Sequence, residues 1–175
     1  DALLAGGRLS LTALARGAPG PALVKHRIKR IDRLFGNEAL HEDLAAYYAA
    51  LAAFVLQQDS RPMILVDWSP VGVGSLHYAL VASVPVSGRA LSIYAEVYDY
   101  RKNGNRKIER RFLARLARLL PAGAKPVIVT DAGFRTPWFD AVVEQGWDFV
   151  GRVRHRAKVR PLEGGTWVPA KRLWA

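Results

Sequence analysis

Asp67 and Asp131 are the residues best placed to do chemistry. Each follows a four-residue run, Met63-Ile64-Leu65-Val66 before Asp67 and Val127-Ile128-Val129-Thr130 before Asp131. A short continuous apolar run marks a strand buried on both faces. In open sheets, ligands gather at the carboxyl ends of parallel strands. If these two strands are parallel neighbours, their carboxylates meet at one edge, where they repel and a hard cation relieves them. Mg²⁺ takes such ligands, commonly one or two carboxylates together with substrate phosphates. A pair of such ions activates a nucleophile and stabilises a leaving oxygen in phosphoryl transfer. An aspartate after a strand is also a common turn or cap residue, so spacing alone leaves both readings open.

Other chemistries find less support. His26, His41, His77 and His155 have no metal-ligand spacing, which argues against zinc. Gly72-Val73-Gly74 lacks the third glycine of a dinucleotide fingerprint. No G-x-S-x-G elbow is present, and without cysteine there is neither a disulfide scaffold nor a thiolate site.

The elements that must position the aspartates read as follows. Residues 1–60 are helical. Leu9 to Ala15 is a short apolar-rich stretch closed by Gly17, Pro19 and Gly20. Val24, Ile28, Ile31 and Phe35 recur at helical spacing and predict one buried stripe, stopped by Gly36-Asn37. Leu40, Leu44, Tyr47, Leu51 and Phe54 predict a third, longer helix. From residue 61 the period changes. A strand should run through Met63–Val66 and end at Asp67. Leu76–Pro85 and Ala90–Tyr98 should form a hairpin about Ser87-Gly88. Lys107–Leu120 predicts a helix with Ile108, Phe112, Leu116 and Leu119 inward and Arg110, Arg111, Arg115 and Arg118 outward. Val127–Thr130 predicts a strand. Thr136 and Pro137 should open a helix that stops at Gly146. Trp147–Val153 predicts the last strand. The order is β, β-hairpin, α, β, α, β, an α/β core.

The 175 residues are half apolar and carry a net charge of +11. That length fits one compact domain with an appendage, and the apolar half suffices for a core. No apolar run approaches the roughly 20 residues of a membrane span, so a cytoplasmic protein with no membrane partner is expected. The positive surplus points to a polyanion, and it is unevenly placed. Arg8, Arg16, Lys25, Arg27, Lys29, Arg30 and Arg33 cluster before residue 34, with Lys25, Lys29 and Arg33 in one helical row. A short helix, a Gly/Pro turn and a basic helix suit a helix-turn-helix reader; a helical bundle with a solvated basic face has the same pattern. Arg101 to Arg118 is a second basic block. Arg152, Arg154, Arg156, Lys158 and Arg160 form a third, at every second position. In an extended segment all five point one way, which suits a phosphate backbone; a guarded edge strand is the alternative.

Three motifs together resemble a known family. They are Lys25-His26-Arg27-Ile28-Lys29-Arg30-Ile31-Asp32-Arg33-Leu34-Phe35-Gly36-Asn37, then Ile64-Leu65-Val66-Asp67-Trp68-Ser69, then Val129-Thr130-Asp131-Ala132-Gly133-Phe134. In this order they resemble bacterial insertion-sequence transposases of the IS-four type, DDE enzymes with a ribonuclease H-like core. The resemblance implies a mixed sheet with flanking helices, preceded by a helical DNA-binding region over 1–60 and followed by the start of a β-rich insertion. The core would span 61–152 and the insertion 153–175. Asp67 and Asp131 match the first two metal-binding aspartates. The expected cofactor is Mg²⁺, with Mn²⁺ as substitute. The implied reaction hydrolyses a phosphodiester at the element's end and joins the freed 3′-OH to target DNA, through a DNA hairpin in relatives. Double-stranded DNA is the implied partner, a dimer the implied working form, and a bacterial nucleoid the implied location. Trp167 or Trp174 would match the insertion tryptophan that stacks on a flipped base.

The sequence departs from the family at the third carboxylate. A Tyr-x-x-Arg-x-x-x-Glu motif is absent, since no tyrosine follows Tyr100, and neither Glu144 nor Glu163 fits. A fragment that does not transpose DNA alone is therefore expected. A ribonuclease H-like nuclease and a non-catalytic DNA-binding remnant are the alternatives.

Overall fold

The computed structural model describes residues 10–57, 59–72, 74, 76–154, 157–161 and 163–173. They fall into two compact units, Asp1–Tyr47 and Tyr48–Ala175.

The first unit is helical. Helix α1 spans Leu11–Gly17 and is N-capped by Ser10, whose Oγ accepts from the Ala13 N–H at 3.2 Å. Helix α2 spans Val24–Phe35, and the short α3 spans Glu38–Glu42 behind an Asn37 cap. The predicted stripe on α2 is not buried. No residue of α2 is buried, and Phe35 is 52% exposed. Among the described residues of this unit, the buried ones are Leu14 and Ala15 of α1. Short helices that meet in one layer cannot cover a second apolar face. The predicted long third helix is also divided. It breaks at Asp43, which caps α3, and α4 follows as Leu44–Leu56.

The second unit is built on a five-stranded sheet in the order β3-β2-β1-β4-β5. The strands are β1 Met63–Val71, β2 His77–Val86, β3 Arg89–Asp99, β4 Val127–Thr130 and β5 Asp148–Gly151. Strands β1, β2 and β3 pair antiparallel, whereas β4 lies parallel to both β1 and β5. Ser87 and Gly88 turn the β2–β3 hairpin, both at positive φ (46° and 78°), the conformation a two-residue hairpin loop requires. Helix α5 spans Arg106–Leu119 and is capped by Asn105, whose Oδ1 accepts from Lys107 and Ile108. Helix α6 spans Thr136–Glu144, with Arg135 at its N-cap. This is the mixed sheet with flanking helices of a ribonuclease H-like α/β fold.

The core lies between the sheet and α5, α6 and the end of α4. Ile64 and Val66 of β1, Leu80 and Ala82 of β2, Ile93 and Tyr94 of β3 and Ile128 of β4 meet Phe112, Leu113 and Leu116 of α5 and Trp138 and Val142 of α6. The Tyr94 and Phe112 rings stack at 5.0 Å. Beside them Glu96 accepts from the hydroxyls of Tyr94 and Tyr98 and from Arg115. Burial pushes its carboxyl up, but these three bonds prevail and hold it below its usual range.

Two predicted strand ends move. Strand β1 continues past Asp67 to Val71, because β2 keeps pairing with it up to Val71↔His77. Strand β5 stops at Gly151 rather than Val153. Arg152 and Arg154 follow it outside any strand, and Lys158 and Val159 belong to a separate two-stranded sheet, β6 (Lys158–Val159) with β7 (Val168–Pro169). The five alternating cations therefore do not share one continuous strand. Arg156 and Trp174 lie outside the described residues.

Candidate active site

The site starts from register. The parallel ladder of β1 and β4 runs Met63↔Val127, Ile64↔Ile128, Leu65↔Val129 and Val66↔Thr130. The next residue on each chain is an aspartate. Neighbouring strands lie about 4.8 Å apart, so Asp67 and Asp131 leave the ladder side by side. Side chains alternate along a strand. Ile64, Val66, Ile128 and Thr130 are buried against the core, so Asp67, within β1, points to the opposite face, and Asp131 is the first residue after β4. Both are exposed.

Local bonds fix each carboxylate. Ser69 Oγ donates to Asp67 Oδ2 at 3.0 Å. The Gly133 N–H donates to Asp131 Oδ1 at 2.7 Å. Gly133 leaves room for this bond: a Cβ built on it would lie 2.8 Å from Asp131 Oδ1 and push the carboxylate aside. Among the described residues, Asp67 Oδ1 and Asp131 Oδ2 accept no hydrogen bond. Each exposed carboxylate has one oxygen tied back and presents the other, a hard donor of the kind a divalent cation takes together with water and phosphate. Among the described residues no group of three or more acidic or histidine side chains forms a metal cluster.

Trp68 faces the other way. Its Nε1 donates to Glu109 Oε1 at 3.1 Å. Glu109 is only 6% exposed on α5. Burial pushes its carboxyl above the ordinary range, against the opposing pull of the Trp68 bond and the Arg106 charge. Sequence reasoning missed Glu109. The signal was available: Glu109, Phe112, Leu113 and Leu116 follow i, i+3, i+4, i+7 spacing, so the acid sits inside the apolar stripe. Glu109 also lines a cavity of about 340 Å³ together with Asn103, Arg106, Gly133, Arg135 and Trp138.

The basic candidates are dispersed. Lys25, Lys29, Arg30 and Arg33 are exposed on α2 of the first unit. Arg27 is half-buried and donates to the Ala18 carbonyl, which ties it into the turn before α2. Arg152, Arg154, Lys158 and Arg160 are exposed after β5. Trp167 is 59% exposed, and the Arg160 guanidinium lies 5.1 Å from its ring centre. That cation–π contact occupies one face of the ring.

The family model described as "Transposase DDE domain" matches residues 58–171, from just before β1 to just beyond β7. No curated protein and no solved structure matches the chain. Such a domain implies metal-dependent polynucleotidyl transfer with DNA as substrate. Among the described residues no helix is long and apolar enough to cross a membrane. The match covers well over half of the chain, including both aspartates and the strands that carry them, so the chain belongs to the DDE transposase family.

Proposed function

We propose that the chain carries the DNA-binding region and the first part of the catalytic core of an IS-four-type transposase. Asp67 and Asp131 are its first two metal-binding carboxylates. The observation that supports this most is the register Val66↔Thr130, which brings an aspartate to the same level on two adjacent parallel strands. Asp67 and Asp131 would hold Mg²⁺, or Mn²⁺ in its place, which would supply Lewis-acid polarisation of a phosphate and a lowered pKa for an attacking oxygen. The chain's own part is to hold the ion. Ser69 and the Gly133 N–H fix one oxygen of each carboxylate and leave the other for the cation.

The reaction is cleavage at an element's ends and transfer of the 3′-OH. Residues 1–60 bind DNA through Lys25, Arg27, Lys29, Arg30 and Arg33. Residues 61–152 are the core. Residues 153–175 open the insertion; Arg152 at the end of the core and Arg154, Arg156, Lys158 and Arg160 beyond it meet phosphates, and Trp167 meets a base. A dimer holds two ends. The Tyr-x-x-Arg-x-x-x-Glu motif is absent from these 175 residues, so a two-carboxylate site holds its second ion poorly and the chain alone does not transfer strands. Incubation with end-bearing DNA and Mg²⁺ tests this. No cleavage is expected; cleavage that Asp67→Ala abolishes overturns the claim that a third carboxylate is needed.

A further inference from the structure

The outer face of α5 carries a charge that the fold does not use. We propose that this face docks the backbone of duplex DNA, whatever its sequence, on the side of the core away from Asp67. The choice of DNA rests on the proposed function; the need for a polyanion rests on the helix itself.

Helix α5 turns Glu109, Phe112, Leu113, Leu116 and Leu119 to the core. Lys107, Arg111, Ala114 and Arg118 follow i, i+4, i+7, i+11 spacing and form the ridge diametrically opposite. The three cations of the ridge are exposed. Arg110 and Arg115 flank it, and each is paired with an acid of a neighbouring element, Glu144 of α6 and Glu96 of β3. On the ridge itself, among the described residues, no carboxylate pairs with Lys107, Arg111 or Arg118. Arg111 donates to the Tyr98 hydroxyl at 3.3 Å and lies 5.9 Å from the centre of its ring. These contacts steady the guanidinium without neutralising it.

This placement works against the helix. Lys107 with Arg111, and Arg111 with Arg115, are like charges at i, i+4, which destabilise a helix. Arg106 and Lys107 open α5, the end that favours acids. The one acid of that turn, Glu109, is buried, and burial pushes its carboxyl towards the neutral form. A polyanion on the ridge relieves the repulsion. From Lys107 to Arg118 the helix rises about 16 Å, and one strand of a duplex offers a phosphate about every 3.4 Å over that length. Exposed Lys and Arg side chains along a ridge meet phosphates rather than base edges, so the contact carries no sequence information. Asp67 points to the face of the sheet opposite the core that α5 covers. The docked segment is therefore a second stretch of duplex, apart from the bond that the aspartates address.

Binding of the 175-residue chain to a short duplex of arbitrary sequence, measured across salt concentrations and without divalent ion, tests this. Lys107→Gln/Arg118→Gln should bind about 10-fold or more weakly at low salt and flatten the slope of log K against log salt by about 0.9 for each phosphate released. Without DNA, its urea midpoint should equal or exceed the parent's, because like charges are removed. Unchanged affinity and slope, or a lowered midpoint, overturns the docking surface. In the parent chain the duplex should slow acetylation of Lys107, and an unchanged rate overturns the surface whatever the variant does. A poly-glutamate peptide that loses as much affinity as the duplex in the double variant overturns the assignment to DNA. The metal reading does not enter, since no divalent ion is present. A chain that binds the duplex but is indifferent to the ridge variant overturns the ridge alone, whereas no duplex binding by the parent overturns the DNA reading as a whole.

Discussion

Val66 and Thr130 are the last partners of the parallel ladder between β1 and β4, and each is followed by an aspartate. A slip of one residue in β1 would send the Asp67 carboxylate to the buried face. The apolar pattern of both strands opposes this slip, since Ile64, Val66 and Ile128 are fully buried. The packing that stabilises the sheet also sets the pair.

Gly133 should control the second carboxylate without controlling the fold. A Cβ there meets the Asp131 carboxylate, at 2.8 Å from Oδ1, and the carboxylate is the mobile end of a side chain. Gly133→Ala is expected to weaken divalent-ion affinity about 10-fold or more, as removing a hydrogen bond that orients a metal ligand does. Its urea midpoint should stay near that of the parent chain. Titration calorimetry with Mn²⁺ and urea denaturation check the two halves.

Glu109 should make stability fall with rising pH. Its folded pKa lies above the ordinary 4.5 because of burial, so the folded chain keeps a proton that the unfolded chain releases. The stabilisation is complete below about 4.5 and is lost as pH rises through the folded value. Glu109→Gln keeps an acceptor for Trp68 and carries no charge. It should flatten this part of the pH profile and leave stability near neutral pH undiminished. Urea midpoints measured across the acidic range read the slope directly; an unchanged slope contradicts the assignment.

Gly151 should not tolerate a methyl group. It ends β5 opposite Thr130, and a Cβ there would lie 2.5 Å from Phe139 Cζ. The Phe139 ring also packs on Phe149, with ring centres 4.6 Å apart. Gly151→Ala forces this pair to shift, at a cost of about 1–3 kcal/mol. Chemical denaturation measures it.

DNA binding by the first unit should depend on salt. Lys25 and Lys29 are exposed one turn apart on α2. Lys25→Gln/Lys29→Gln should weaken binding to element ends and reduce the slope of log K against log salt by about 0.9 for each phosphate that is no longer neutralised. Binding isotherms at several salt concentrations give that slope; an unchanged slope and affinity remove this helix from recognition.

The sequence made the core more legible than its surroundings. Met63–Val66 and Val127–Thr130 were readable as buried strands because strands covered on both faces are apolar throughout. The register between them was not written in either run alone; it came from the sheet. The α2 stripe misled, because helical spacing shows which face is apolar but not whether another layer exists to cover it. The alternation from Arg152 to Arg160 also misled, since period two predicts a strand only where a partner strand pairs with it. Glu109 was hidden for the converse reason. Its charge reads as surface, and it is the Trp68 indole and the Arg106 charge beside it that ease its burial.

Asp67 and Asp131 together should hold one divalent ion, and paramagnetic broadening by Mn²⁺ in an amide NMR spectrum tests this most directly. The predicted result is broadening centred on both Val66–Trp68 and Thr130–Gly133, lost in Asp67→Asn and in Asp131→Asn alike. Broadening at only one of these segments, or broadening that survives either substitution, would contradict a shared ion.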